Sequence, residues 1–161
     1  MRMDMASDSK KDFYFMERAY SEAEKSFDME EVPIGAVIVD GQGILLGKGA
    51  NLKEHRGDST SHAELMAIQE AQERRGDWRL NGCTLYTTLE PCPMCAGAMF
   101  QSRISRLVIG AMDSRWGAAG SVVDLFSEGF FNHRVQVDLL DFPKGKTLVQ
   151  TFFKQLRQKS K

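Results

Sequence analysis

Phe13, Met16, Tyr20, Ala23 and Phe27 recur at the spacing of one helical face, which predicts an amphipathic helix over residues 11–28 that ends before Pro33. Residues 34–39 and 44–48 are β-rich runs separated by Asp40, Gly41, Gln42 and Gly43, where glycine accepts positive φ, so the first two strands form an antiparallel hairpin. From Ser61 the apolar positions Ala63, Leu65, Met66, Ala67, Ile68 and Ala71 predict a helix to residue 75, followed by a turn over 78–82. A strand at 84–89, a helix rich in Ala, Gly and Met at 93–102 and a strand at 106–110 then alternate, the pattern of parallel strands with right-handed crossovers. Ser121 with Asp124 three residues on predicts a short capped helix. Residues 135–137 are expected as a last strand, and Leu148, Phe152, Phe153 and Leu156 mark a C-terminal helix. The whole reads as α/β, a mixed sheet of about five strands, the first two antiparallel and then parallel, flanked by helices.

Composition narrows the class. The chain has 161 residues, 42% hydrophobic and 27% charged, which fits one globular domain with a proper core and excludes wholesale disorder or a collagen-like repeat. No apolar run approaches the roughly 20 residues of a membrane helix, and the start MRMDMASDSKKDF carries acids where a signal peptide is apolar, so no membrane association and a cytoplasmic location are expected. The net charge of −1 hides a gradient: residues 1–31 carry nine acids and five bases, whereas 144–161 carry six bases and no acid. Such a basic block is either a solvated helix end or a polyanion contact.

The chemistry concentrates where two helices are predicted to start, at Ser61-His62-Ala63-Glu64 and Pro91-Cys92-Pro93-Met94-Cys95. Pro93 suits the first helical position and keeps Cys92 extended, making Cys92 the N-cap and Cys95 the third helical residue. Helix-start amides and dipole favour thiolates, the form that binds metal. Cys92 and Cys95 lie too close in sequence to close a disulfide loop. Cys83 sits at the far end of a strand, about 20 Å from Cys92, and is a poor third ligand. His62 is a better one, because ligands at the starts of successive helices converge at one edge of a sheet. Three protein ligands leave one coordination position open, the count of a catalytic zinc. Glu64 is either a capping-box carboxylate for Ser61 or a proton shuttle beside that position. His62 and Glu64 stand about 200° apart on a regular helix, so they share a site only in its first turn.

His62-Ala63-Glu64 followed by Pro91-Cys92-Pro93-Met94-Cys95 is similar to the H-x-E…P-C-x-x-C signature of zinc nucleobase deaminases. Glu31 to Val37, Asn51, Asp113 to Gly120, Asn132 to Val135 and Phe152-Phe153-Lys154 further resemble the bacterial tRNA-specific adenosine deaminases of the cytidine/deoxycytidylate deaminase superfamily. That resemblance implies a three-layer α/β/α cytidine-deaminase-like fold in a single domain at 12–157, with 1–11 a disordered extension and 158–161 a basic end. It implies a homodimer with one Zn²⁺ per subunit held by His62, Cys92 and Cys95, acting on the wobble adenosine of a tRNA anticodon stem-loop to give inosine. Glu64 is then the catalytic acid and base, needed because two thiolates cancel the metal's charge and weaken its acidification of water. Asn51, Asp113, Ser114, Arg115 and Phe153 become substrate contacts, although Asn51 also reads as a turn residue and Phe153 as core. Trp116 departs from the smaller polar residue usual in the family and either stacks on a base or packs under its loop. His55 and His133 lack metal spacing and read as hydrogen-bonding or RNA-contacting residues.

Three other functions fit parts of the pattern. A deaminase of a free base or nucleoside (cytosine, cytidine or guanine) shares the zinc signature, but not the basic tail or the tRNA-deaminase segments. A non-catalytic zinc-bearing RNA-binding module requires Glu64 to be only a cap. A thiol oxidoreductase using Cys92 and Cys95 has no use for His62 or Glu64.

Overall fold

The computed structural model describes residues 5–127 and 129–160, with side chains from Asp8 onward. Its elements run α1 (Met5–Asp28), β1 (Gly35–Val39), β2 (Leu45–Ala50), α2 (Lys53–Arg56), α3 (Ala63–Arg75), β3 (Thr84–Thr87), α4 (Pro93–Gln101), β4 (Arg106–Ile109), β5 (Gln136–Leu139) and α5 (Pro143–Lys159). The strands form one sheet in the order β2-β1-β3-β4-β5. β1 pairs antiparallel with both β2 and β3, and β3-β4 and β4-β5 are parallel. The carboxyl ends of β2, β3, β4 and β5 therefore emerge at one edge, with the starts of α3 and α4.

Alternate residues of the inner strands enter two cores, as a sheet covered on both faces requires. Ala36, Ile38, Leu85, Leu107 and Ile109 pack under α3 and α4 with Ala67, Ala71, Cys95 and Met99. Val37, Val39, Tyr86 and Val108 pack under α1 with Phe15, Met16 and Ala19. Three layers result.

The inward face of α1 is rotated from the expected stripe. Phe13 is 41% exposed, and the buried positions are Asp12, Phe15, Met16, Ala19, Glu22, Ala23 and Ser26. Asp12 belongs inside because the Arg106 guanidinium grips its carboxylate with two hydrogen bonds of 2.8 Å and the Tyr86 hydroxyl donates to it at 2.7 Å. Burial alone would raise the Asp12 pKa, but these donors outweigh it and hold the carboxyl below its ordinary value. α1 also begins at Met5, so the expectation of a disordered extension over 1–11 lies partly outside the described residues and meets helix from Met5 on. The short helix expected after Ser121 is absent. Ser121 donates both its amide and its hydroxyl to Glu90, and Asp124 accepts from the Phe126 amide, so neither is left to cap a helix.

β2 and α3 pack backbone against backbone. Gly47 and Gly49, two apart, face the same side, and a Cβ at either would collide with a backbone oxygen of α3, that of Ala67 or of Ala63. Ala63, Ala67 and Ala71 recur every fourth residue along the facing side of α3, so small residues on both partners let the helix axis settle close to the strand. Gly49→Ala is expected to cost about 1–3 kcal/mol in chemical denaturation, an overpacking penalty, and to disturb the start of α3. An unchanged midpoint would show that helix and strand do not meet this closely in solution.

Candidate metal centre

His62 is the N-cap of α3, with extended backbone at φ −86° and ψ 147°, and Ala63 is the first helical residue. The imidazole thus projects from outside the helix while Glu64 sits in its first turn, which lets two residues that would diverge on a regular helix share a site. Ser61 caps nothing here. Its hydroxyl donates to Asp58 at 3.2 Å, so Glu64 is not half of a capping box. At α4 the reading from Pro93 holds: Cys92 is the extended N-cap at φ −74° and ψ 170°, Pro93 opens the helix, and Cys95 is buried as its third residue.

His62 Nδ1 lies 3.6 Å from Cys92 Sγ and 3.5 Å from Cys95 Sγ. Zinc–nitrogen and zinc–sulfur bonds of about 2.0–2.1 and 2.3 Å at a tetrahedral angle separate the two donor atoms by about 3.6 Å, so the donor set fits zinc. The three ligand atoms all lie within 4.8 Å of one another. Cys83 is no part of this group, and its sulfur accepts from Arg75 at 2.9 Å.

The two cysteines share one proton, which a bound cation would displace. Cys92 is pushed down to about 4, chiefly because the Cys95 thiol donates to it, with His62 adding to the effect. The Cys95 thiol is pushed up, first by that same bond to Cys92 and then by burial. Glu64 is 4% exposed, and burial raises its carboxyl to about 7, helped by the neighbouring Cys92 charge and opposed by its own amide, His62 and Cys95. A buried carboxyl of this kind both takes and returns a proton near neutrality.

Of the other expected site residues, Asn51, Asp113, Ser114 and Arg115 lie in loops and Phe153 on α5. Asn51 is buried, donates from its amide to the Val32 carbonyl at 3.0 Å and accepts from the Lys53 amide at 3.2 Å, which is loop-stitching work. Asp113 closes a turn by accepting from the Arg115 amide at 3.0 Å, and Ser114 is exposed. The Arg115 guanidinium lies 5.8 Å above the ring of Phe153, joining the loop to α5, while Phe152 next to it packs on Phe27. Trp116 is 68% exposed at the loop tip, so it does not pack beneath the loop. His133 Nε2 bonds the Ile104 carbonyl at 2.7 Å, and the His55 amide and ring both approach Glu31.

Two buried carboxylates escaped the sequence reading. Glu31 accepts the Glu54 and His55 amides at the start of α2. Glu90, between β3 and the cysteines, accepts the amides of Asp113, Ala119 and Ser121. Nothing in their spacing marks them, because most of their partners are backbone amides, which carry no sequence signal.

Residues 9–111 match the family model of the cytidine and deoxycytidylate deaminase zinc-binding region. The chain belongs to this family. It is 44% identical over 152 residues, 93% of either chain, to a tRNA-specific adenosine deaminase of Bacillus subtilis (strain 168). It is 43% identical over 149 residues to one of Streptococcus pyogenes (serotype M18), covering 92% of this chain and 93% of that one. A solved structure from work on A-to-I editing by tRNA:A34 deaminases at the wobble position of transfer RNA superposes with a TM-score of 0.75 at 42% identity, covering 80% of this chain and 98% of that one. Membership in a zinc-binding deaminase family and the His/Cys/Cys geometry together give the enzyme one zinc per subunit.

Cys92→Ser is expected to lose most of that zinc, because a neutral hydroxyl replaces a thiolate ligand. Metal analysis that still found one zinc per chain in this variant would remove Cys92 from the ligand set.

Proposed function

We propose that the protein is a zinc-dependent hydrolase that converts adenosine to inosine at the wobble position of a tRNA anticodon, with water consumed and ammonia released. The observation that carries the chemistry is the buried Glu64 carboxylate beside a His/Cys/Cys group, three ligands where a structural zinc takes four. The tRNA substrate is supported by relatives that match nearly the whole chain and bear that name.

In this reading His62, Cys92 and Cys95 hold Zn²⁺, which when bound acidifies water and supplies Lewis-acid chemistry. Glu64 takes the proton of the attacking water as the oxygen adds to C6 of adenine. It passes that proton to the ring nitrogen, then takes the remaining proton of the new C6 hydroxyl and delivers it to the amino group, so that C6=O forms as the C6–N bond breaks and ammonia leaves. Asn51, Asp113, Ser114, Arg115 and Phe153 surround the entering nucleotides. Phe153 and Arg115 form one continuous platform through their cation–π contact. The proposal includes a single deaminase domain over 12–157, a homodimer, and a cytoplasmic location with its substrate. Among the described residues no helix is long and apolar enough to cross a membrane.

The test is an anticodon stem-loop bearing wobble adenosine, assayed beside free adenosine and cytidine for inosine or uridine. Inosine should form in the stem-loop alone, and turnover of only the free nucleosides would overturn the assignment. Glu64→Gln should keep zinc and fold yet lower kcat by about 10²–10⁴-fold, because an amide cannot relay protons. Near-normal turnover with zinc present would sink the proton-transfer role.

The basic tail is partly neutralised, since Lys144 pairs with Glu17 at 2.6 Å and Lys159 with Glu30 at 2.7 Å. Removing residues 157–161 deletes Arg157, Lys159 and Lys161 while sparing Phe153. It should weaken tRNA binding and flatten its salt dependence by about 0.7–0.9 in log–log slope per lost phosphate contact. Identical affinity and slope in a salt titration of both proteins would make the tail a solvated helix end.

A further inference from the structure

Glu90 is the most heavily bonded carboxylate at this edge of the sheet, and the reaction outlined above gives it nothing to do. It is 3% exposed. Its Oε1 accepts the Asp113 amide at 2.9 Å, its Oε2 accepts the amides of Ala119 at 2.8 Å and Ser121 at 3.1 Å, and the Ser121 hydroxyl donates to Oε1 as well. The backbone repeats the connection: the Glu90 amide donates to Ala111 and the Ala118 amide to Pro91, both at 2.8 Å. Residues 111–121 are therefore wrapped around one carboxylate. Inside the wrap there is no spare room, because a Cβ on Gly117 would land on the carboxylate itself.

The two ends of this arrangement are what give it consequence. Glu90 stands two residues before Cys92, so its backbone is continuous with the start of α4 and the metal centre. The outer side of the wrap carries Ser114, Arg115 and Trp116, all exposed, with Arg115 over Phe153 and Trp116 reaching solvent. An exposed indole on a loop tied down by these bonds is a stacking platform that costs less to order on binding.

We propose that Glu90 is a positioning residue for substrate: it fixes loop 111–121 relative to the metal centre so that Arg115 meets a phosphate and Trp116 stacks on a base flanking the reacting adenosine. This rests on the tRNA reading above. Glu90 touches no reacting atom, so its loss acts on how the RNA is gripped and not on proton transfer.

Glu90→Gln keeps the side chain's size but turns an NH₂ group toward amide hydrogens that need an acceptor. Stem-loop kinetics, zinc content, thermal melting and a second stem-loop with abasic flanking positions would be measured for it and for wild type. KM should rise about tenfold or more with kcat changed much less and one zinc retained, and the penalty for abasic flanks seen in wild type should shrink. A kcat that falls in step with zinc content or melting temperature, at unchanged KM, would make Glu90 a support of the metal centre only and overturn the proposal. So would unchanged KM and unchanged sensitivity to the flanks. Should Glu90→Gln fail to fold, Ser121→Ala removes a single donor and should give a smaller rise in KM of the same character; no rise overturns the proposal. A wild-type protein inactive on the stem-loop would defeat the tRNA reading instead. In that case the rate of proteolysis within 111–121 still tests the loop, and equal rates in wild type and Glu90→Gln would overturn its fixation by Glu90.

Discussion

The seam between β2 and α3 determines whether the protein has a metal centre. His62 is not anchored by a cap hydrogen bond of its own, so its place follows from where α3 begins, and α3 is placed by the contact of Gly47 and Gly49 with Ala63, Ala67 and Ala71. On the other side, Pro93 fixes where α4 begins and with it the pair Cys92 and Cys95. The two helix starts must agree to within a few tenths of an ångström for one nitrogen to stand 3.5 to 3.6 Å from two sulfurs. A β-sheet is stiff enough to set that agreement, which is why the ligands stand at element starts and not in loops.

Two buried carboxylates at this edge show how environment assigns roles to one functional group. Glu90 is met by three backbone amides and a hydroxyl, and although burial opposes ionisation these donors outweigh it and hold its pKa below the ordinary value. Glu64 lies deeper, with few donors and a thiolate for a neighbour, so burial lifts its carboxyl to about 7. The first is a permanent anion around which a loop can be folded. The second is a group that holds its proton loosely, suited to passing it on.

On the opposite face, the charge gradient along the chain becomes a contact between its ends. The acid-rich α1 and the turn after it lie beside the base-rich α5, joined by Lys144–Glu17, Lys159–Glu30 and the Phe27–Phe152 ring contact. The ion pairs are exposed and contribute little, so the ring contact does more to hold this layer. The remaining bases of α5 stay available to solvent or to a polyanion.

The sequence by itself determined the order of the strands and long helices, the hairpin, the parallel strands and the candidate ligand pair Cys92 and Cys95, because periodicity, proline and the spacing of cysteines act within a few residues of where they are written; it gave no sign of the short α2. It also marked Glu64, while leaving open whether the carboxylate was a cap. That choice turned on whether His62 or Ser61 stands at the helix boundary, a difference of one residue that only the packed position of α3 decided. Tertiary structure likewise turned the expected helix at Ser121 into a wrapped loop, since the buried Glu90 offered its donors a stronger partner than a helix start would. It rotated α1 so that Asp12 faces inward and Phe13 outward, because a guanidinium 94 residues away could satisfy the carboxylate. Each of these outcomes depends on a partner distant in the chain, and local pattern carries no record of such partners.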